Sequence, residues 1–127
     1  MLANRILLIE DEVDLLDMFA EQLTADGYQV DKFADPIQAC SHFEKNPIKY
    51  RLIISDLRMP SMTGLELIKK INKINIDVKI ILMSAFEIDT FGSDLKEITI
   101  EGFLKKPMHL NQLLSMVESC VITSVIT

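Results

Sequence analysis

Apolar residues in this chain come in short runs at nearly even spacing: Arg5–Ile9, Tyr28–Phe33, Leu52–Ser55, Lys79–Met83 and Gly102–Lys105. Three of them hold stretches that are apolar at every position: Ile6-Leu7-Leu8-Ile9, Leu52-Ile53-Ile54 and Ile80-Ile81-Leu82-Met83. A strand with one wet face alternates apolar and polar residues, whereas a strand covered on both faces does not. These three runs therefore predict central strands of a parallel sheet. The run Val30-Asp31-Lys32-Phe33 alternates, which suits an edge strand.

Helical patterns lie between the runs. Leu15, Leu16, Phe19, Ala20 and Leu23 share one helix face, and Gly27 is placed to end that helix in a left-handed turn. Asp35-Pro36 reads as an N-cap followed by proline at the first helical position. Ile37, Cys40 and Phe43 then form a stripe that Asn46-Pro47 stops. Leu65, Ile68 and Ile71 predict a third helix after Gly64, and Leu110, Leu113, Leu114 and Val117 a last one. The segment Glu87–Ile100 holds Gly92 and several β-branched residues, so a short or mobile helix is expected there. Strands alternating with helices give a βα repeat, and right-handed crossovers place helices on both faces of the sheet. The tail Ser119–Thr127, β-branched and uncharged, is expected to fray from the last helix or pack weakly, with a dimer or partner contact as the lesser reading.

Composition narrows the class. At 127 residues the chain fits one compact domain, and its 49% apolar content argues against disorder. Thirteen Lys and Arg against nineteen Asp and Glu leave a net charge of −6, a poor match to nucleic acid. No run approaches the roughly 18 apolar residues of a membrane span. The apolar start, Met1 to Ile9, is too short for a signal peptide and lacks a cleavage site, so a cytoplasmic location is expected. Cys40 and Cys120 read as reduced, packed thiols.

In open α/β sheets ligands bind beyond the carboxyl ends of the strands. There the sequence offers Glu10 and Asp11 after the first strand, Asp56 at the end of the third, Ser84 after the fourth, and Lys105-Lys106-Pro107 after the fifth. Acids after a buried strand often only begin a solvated loop. Two carboxylates about 5 Å apart, however, repel by roughly 3 kcal/mol at an effective dielectric of 20, so a convergent group needs a cation. A few hard oxygen ligands suit Mg²⁺, which keeps waters and shares its shell with phosphate. Lysine and serine could then pair with phosphoryl oxygens, and the implied chemistry is metal-assisted phosphoryl transfer to a carboxylate.

These segments resemble the receiver domains of two-component response regulators. The resemblance runs from Asn4 to about Glu118 and rests on four motifs in order. They are Ile6-Leu7-Leu8-Ile9-Glu10-Asp11-Glu12; Leu52 to Pro60 with Gly64-Leu65-Glu66-Leu67; Ile80 to Ala85; and Gly102-Phe103-Leu104-Lys105-Lys106-Pro107. It implies a flavodoxin-like doubly wound (βα)5 sandwich with a five-stranded parallel sheet of order 2-1-3-4-5. The receiver domain is expected over 1–118, with 119–127 as a tail. By the same resemblance Asp56 is the phosphoacceptor. Glu10, Asp11, Asp56 and the backbone carbonyl of Arg58 hold Mg²⁺. Ser84 is the switch hydroxyl, Lys106 the phosphate-pairing lysine ahead of a cis Pro107, and Phe103 the aromatic switch. Lys105 and the histidines His42 and His109 take structural, surface or capping roles.

The implied function is a phosphorylatable switch, not an enzyme beyond its own phosphorylation and dephosphorylation. It would be loaded by a histidine kinase or histidine phosphotransfer protein and would act on an unknown downstream protein, with a homodimer possible and no nucleic acid or membrane partner. The chain is expected to work alone or through a docked partner, or as a domain of a longer protein. The output face is expected around the fourth-helix region (Phe86, Ile88, Phe91, Leu95, Ile98, Ile100), the fifth strand and the last helix. Glu10 stands where Asp is more usual, and Ser61 and Thr63 replace the usual Gly and Asp, so a differently shaped loop is expected after Pro60. Phe86 offers no group to orient a hydrolytic water, so a long-lived phosphoryl group is expected. The alternative is a degenerate receiver acting as a phosphorylation-independent interaction module. A phosphatase with an aspartyl intermediate is disfavoured by Arg58, and a flavin protein by the lack of a phosphate loop after the first strand.

Overall fold

The structure is a computed structural model that describes residues 5–75, 77–85 and 100–126, with side chains as far as Val121. Strands β1 (Arg5–Ile9), β2 (Gln29–Phe33), β3 (Leu52–Asp56), β4 (Lys79–Ser84) and β5 (Gly102–Lys105) form one parallel sheet of order β2-β1-β3-β4-β5. Helices α1 (Val13–Ala25), α2 (Pro36–Lys45), α3 (Gly64–Ile74) and α4 (Leu110–Ile126) cover it. This is the flavodoxin-like doubly wound order expected from the sequence. The helix expected between β4 and β5 falls in 86–99, outside the described residues, and so do the readings placed on Phe86, Ile88, Phe91, Leu95 and Ile98.

The sheet separates two cores. Leu7, Ile9, Ile53, Ile80 and Leu82 meet α2 and α3 on one side, packed around Phe43, Leu67, Ile68 and Ile71. On the other, Ile6, Leu8, Leu52, Ile54, Ile81 and Met83 meet α1 and α4 around Leu16, Phe19, Leu23, Leu113 and Val117. The three continuous apolar runs are the three central strands, and their two sets of alternate residues fill both cores. Cys40 and Cys120 are buried in these cores and form no disulfide.

Local chemistry sets the helix ends. Asp35 accepts a hydrogen bond from Ile37 N at 2.9 Å and Pro36 follows, while Gly27, at φ 98°, turns the chain out of α1. Thr63 caps α3 in a reciprocal box with Glu66, so the unusual loop residue of the sequence reading serves as a helix start. The last helix continues through Ile126 where a fraying tail was expected: Cys120 is buried, and Lys79 Nζ donates to its carbonyl at 3.0 Å.

Gly64 fixes the junction of β3 and α3. A Cβ at this position would sit 2.5 Å from the Asp56 carbonyl oxygen and 2.9 Å from Leu57 Cα, both backbone atoms that cannot step aside. Gly64→Ala is expected to cost about 1–3 kcal/mol in urea unfolding and to move the loop beyond β3. An unchanged midpoint would contradict this.

Edge strand β2 carries a charge network that the sequence did not reveal. Asp31 accepts from the Tyr50 hydroxyl at 2.5 Å and lies 3.3 Å from both Arg5 Nη1 and Lys49 Nζ. His42 Nε2 stands 2.6 Å from the same hydroxyl. Burial alone would raise the Asp31 pKa, but the Tyr50 and Lys49 hydrogen bonds and the nearby cations outweigh it and hold the carboxyl below its ordinary 3.8. A carboxylate with a depressed pKa stabilises the fold above its unfolded value, and that stabilisation is lost as pH falls through the lower folded value. Asp31→Asn should therefore cost about 1–2 kcal/mol at neutral pH, and the difference from wild type should close below about pH 3.8. Parallel stability curves down to strong acid would overturn this account.

Candidate metal centre

Strand register assembles the site. Ile9 is level with Ser55 on the neighbouring strand, so Glu10 and Asp56 emerge side by side at the carboxyl edge. Met83 is level with Asp56, and Ser84 with Lys105. The ladder runs on past the strand ends: Glu10 N donates to Phe33 O at 3.1 Å, Leu57 N to Met83 O at 2.8 Å, and Lys106 N to Ser84 O at 2.7 Å. The backbone thus holds Glu10, Asp56, Ser84 and Lys106 in fixed relation before any side chain pairs.

Carboxylate oxygens of Glu10, Asp11 and Asp56 lie within 4.8 Å of one another. Glu10 is fully buried and Asp56 nearly so, whereas Asp11 is half-buried. Lys106 spans the cluster. Its Nζ donates to Asp56 Oδ2 at 3.1 Å and also to Glu10 Oε1. Glu10 Oε2 accepts from Glu12 N at 3.2 Å, so both of its oxygens have partners. Burial pushes the Glu10 pKa up to about 7, reinforced by the Asp56 charge and opposed by the hydrogen bond from Lys106. For Lys106, burial works against the ammonium, but the Glu10 hydrogen bond and the two carboxylate charges outweigh it and raise its pKa.

The donor set fits a small hard dication. Three carboxylates supply oxygen ligands, and half-exposed Asp11 leaves one side open to water, as Mg²⁺ requires. Three carboxyl groups face a single ammonium, more than Lys106 alone can offset, which favours a cation further.

The other expected residues flank the cluster. Ser84 ends β4 and is buried. Arg58 sits on the exposed turn two residues beyond β3, which the buried side chains of Leu57 and Met59 anchor. Phe103 lies half-buried on β5, level with Leu82 and packed on the core shared with α2 and α3. Lys105 is exposed, while Lys106 points to the acids, so the structure separates the two adjacent lysines as the sequence reading did. The Lys106-Pro107 bond is cis. The sequence reading placed Glu10 at the metal and did not foresee its complete burial. The fully apolar run of β1 just before it was the available signal.

Likeness to known proteins extends over most of the chain. A family model for the response regulator receiver domain matches residues 6–118. The response regulator receiver protein CpdR of Brucella abortus is 30% identical over 121 residues, covering 95% of this chain and 99% of that one. The sensor kinase CckA of the same organism is 32% identical over 113 residues; the match spans 89% of this chain and only 12% of that protein. Among solved structures, the response regulator protein TrrA of Thermotoga maritima, in complex with Mg²⁺-BeF, is 30% identical. It superposes with a TM-score of 0.80, covering 92% of this chain and 98% of that one. No helix among the described residues is long and apolar enough to cross a membrane. The chain belongs to the receiver domain family of two-component response regulators.

Proposed function

We propose that this receiver takes a phosphoryl group onto Asp56 from a histidine kinase or phosphotransfer protein, with Mg²⁺ bound, and thereby alters its binding to a downstream protein. The observation that carries the reading is the Lys106 ammonium shared between Asp56 and the buried Glu10 inside a three-carboxylate cluster. Glu10, Asp11, Asp56 and the carbonyl of Arg58 would hold the metal. When bound, Mg²⁺ supplies positive charge that offsets the phosphoryl oxygens during transfer. An oxygen of Asp56 forms the new bond to phosphorus as the donor's bond to phosphorus breaks, and the leaving group departs with the donor. Lys106 already touches Asp56, so its ammonium needs only a small shift to pair with the added charge. The buried Ser84 hydroxyl donates to another phosphoryl oxygen. Phe103, half-buried on β5 level with Leu82, would respond to the occupied site as the aromatic switch.

The direct test uses a small phosphodonor, acetyl phosphate, and intact mass. The chain should gain one phosphoryl group with Mg²⁺, and uptake should fall at least about tenfold in EDTA. No uptake with Mg²⁺ would overturn the phosphoacceptor reading and leave an interaction module.

A further inference from the structure

Residues 57–63 join β3 to α3 and leave directly from Asp56. The segment is closed at its neck, where Gly64 N donates to Leu57 O at 2.8 Å, and Leu57 N is held on β4 by Met83 O at 2.8 Å. Leu57 and Met59 are buried and Met62 packs partly on the same core, while Arg58, Pro60 and Ser61 are exposed. Apolar contact is non-directional: it holds the segment down without fixing where its outer turn stands over the carboxyl edge. A hydrogen bond supplies direction. From that outer turn Ser61 Oγ donates to Asp35 Oδ1 at 3.4 Å.

Asp35 is well placed to receive it. It is the N-cap of α2, and the same Oδ1 accepts from Ile37 N at 2.9 Å, so the helix sets the direction of the carboxylate. It stands two residues beyond Phe33, whose carbonyl accepts from Glu10 N at 3.1 Å. The Ser61–Asp35 bond therefore joins the exits of β3 and β2, the two neighbours of β1, and brackets the strand that delivers Glu10. Glycine at position 61, the residue more usual there in the receiver pattern, has no side chain to make this bond.

We propose that Ser61 and Asp35 are positioning residues for the metal: their bond holds the turn that carries Arg58 in one place before Mg²⁺ arrives. The inference rests on the assignment of Asp56 and the Arg58 carbonyl to Mg²⁺ made above. Without the bond the turn samples other places in the metal-free protein, Mg²⁺ must order it, and affinity falls by the entropy of that ordering. Loss of one long, exposed hydrogen bond corresponds to about two- to fivefold weaker Mg²⁺ binding. Folding itself changes little, since the freed turn gains entropy while the hydroxyl and the carboxylate turn to water.

Nuclear magnetic resonance of the full chain, as wild type, Ser61→Ala, Ser61→Thr and Asp35→Gly, tests it. In EDTA, backbone order parameters over 58–62 should drop in Ser61→Ala from roughly 0.85, the value of rigid backbone, to below about 0.7, with β3 unchanged. Titrated with Mg²⁺ and followed at the amides of residues 56–58, Ser61→Ala should bind about two- to fivefold more weakly than wild type. Ser61→Thr keeps the hydroxyl and should match wild type in both readouts. Asp35→Gly removes the acceptor but leaves a tolerated N-cap, and in that background Ser61→Ala should weaken Mg²⁺ no further. Urea midpoints in EDTA should coincide for wild type and both Ser61 variants. Unchanged affinity in Ser61→Ala, affinity lost with no change in order, or a further loss in the Asp35→Gly background would each overturn the inference while Mg²⁺ binding by wild type stands. A wild type whose spectrum ignores Mg²⁺ would instead overturn the metal assignment, and this inference with it.

Discussion

Asp56→Asn should fold as well as wild type, or slightly better, and gain no phosphoryl group at residue 56. The substitution keeps the shape of the side chain and removes its charge and nucleophilicity. Asp56 is buried and shares the site with Glu10 and Asp11, their oxygens within 4.8 Å. At that separation two carboxylates repel by roughly 3 kcal/mol at an effective dielectric of 20, a cost the Lys106 ammonium offsets only in part. The amide oxygen can still accept from Lys106, and Lys106 keeps its pair with Glu10. The net change in urea unfolding without metal should therefore lie between zero and about 1 kcal/mol of stabilisation. Mg²⁺ affinity should fall, since one anionic ligand is gone. Gain of stability with loss of uptake, read by unfolding and by intact mass with peptide mapping, is the signature of a site held at the expense of the fold. Marked destabilisation, or undiminished uptake mapped to residue 56, would remove Asp56 from the role assigned to it.

Much of this site was legible because strand ends in a parallel sheet are legible. Continuous apolar runs fixed β1, β3 and β4, and whatever polar residue follows such a run must emerge at the carboxyl edge. Glu10, Asp56 and Ser84 followed from that rule, and the register of β1 on β3 turned sequence position into proximity. Long-range polar contacts left no such trace. Asp31 on β2 meets Arg5 on β1 and the neighbours Lys49 and Tyr50 in the loop before β3, segments that only the fold brings together. The cap at Thr63 is a different kind of omission, because Thr-x-x-Glu before an apolar stripe is a local signal. It was passed over since Thr63 was weighed as a departure from a loop pattern and not as a helix start. At the other end, the last helix runs on through the β-branched stretch as far as Ile126, with Val117 and Cys120 packed on the core before it.

Removing Lys106 should cost more than removing either of its acidic partners. Lys106→Met leaves Glu10 fully buried with one backbone hydrogen bond, from Glu12 N, and with Asp56 as its nearest charge. A buried carboxylate stripped of its cation typically costs about 3–5 kcal/mol. Glu10 can escape part of that by holding a proton, as its pKa of about 7 already indicates, so about 3 kcal/mol is expected near neutral pH in EDTA. Glu10→Gln should cost only about 1 kcal/mol, because the amide remains a partner for Lys106 and the ammonium keeps Asp56. Combining the two removes both the orphaned charge and its former partner. The double variant should therefore lose about 1–2 kcal/mol less than the sum of the two single losses, a coupling that urea unfolding of all four proteins measures. Strict additivity would mean that Lys106 and Glu10 do not share their charge in solution. The phosphoryl group would then have to recruit the lysine from elsewhere, and the carboxyl edge would not be preorganised for the added charge.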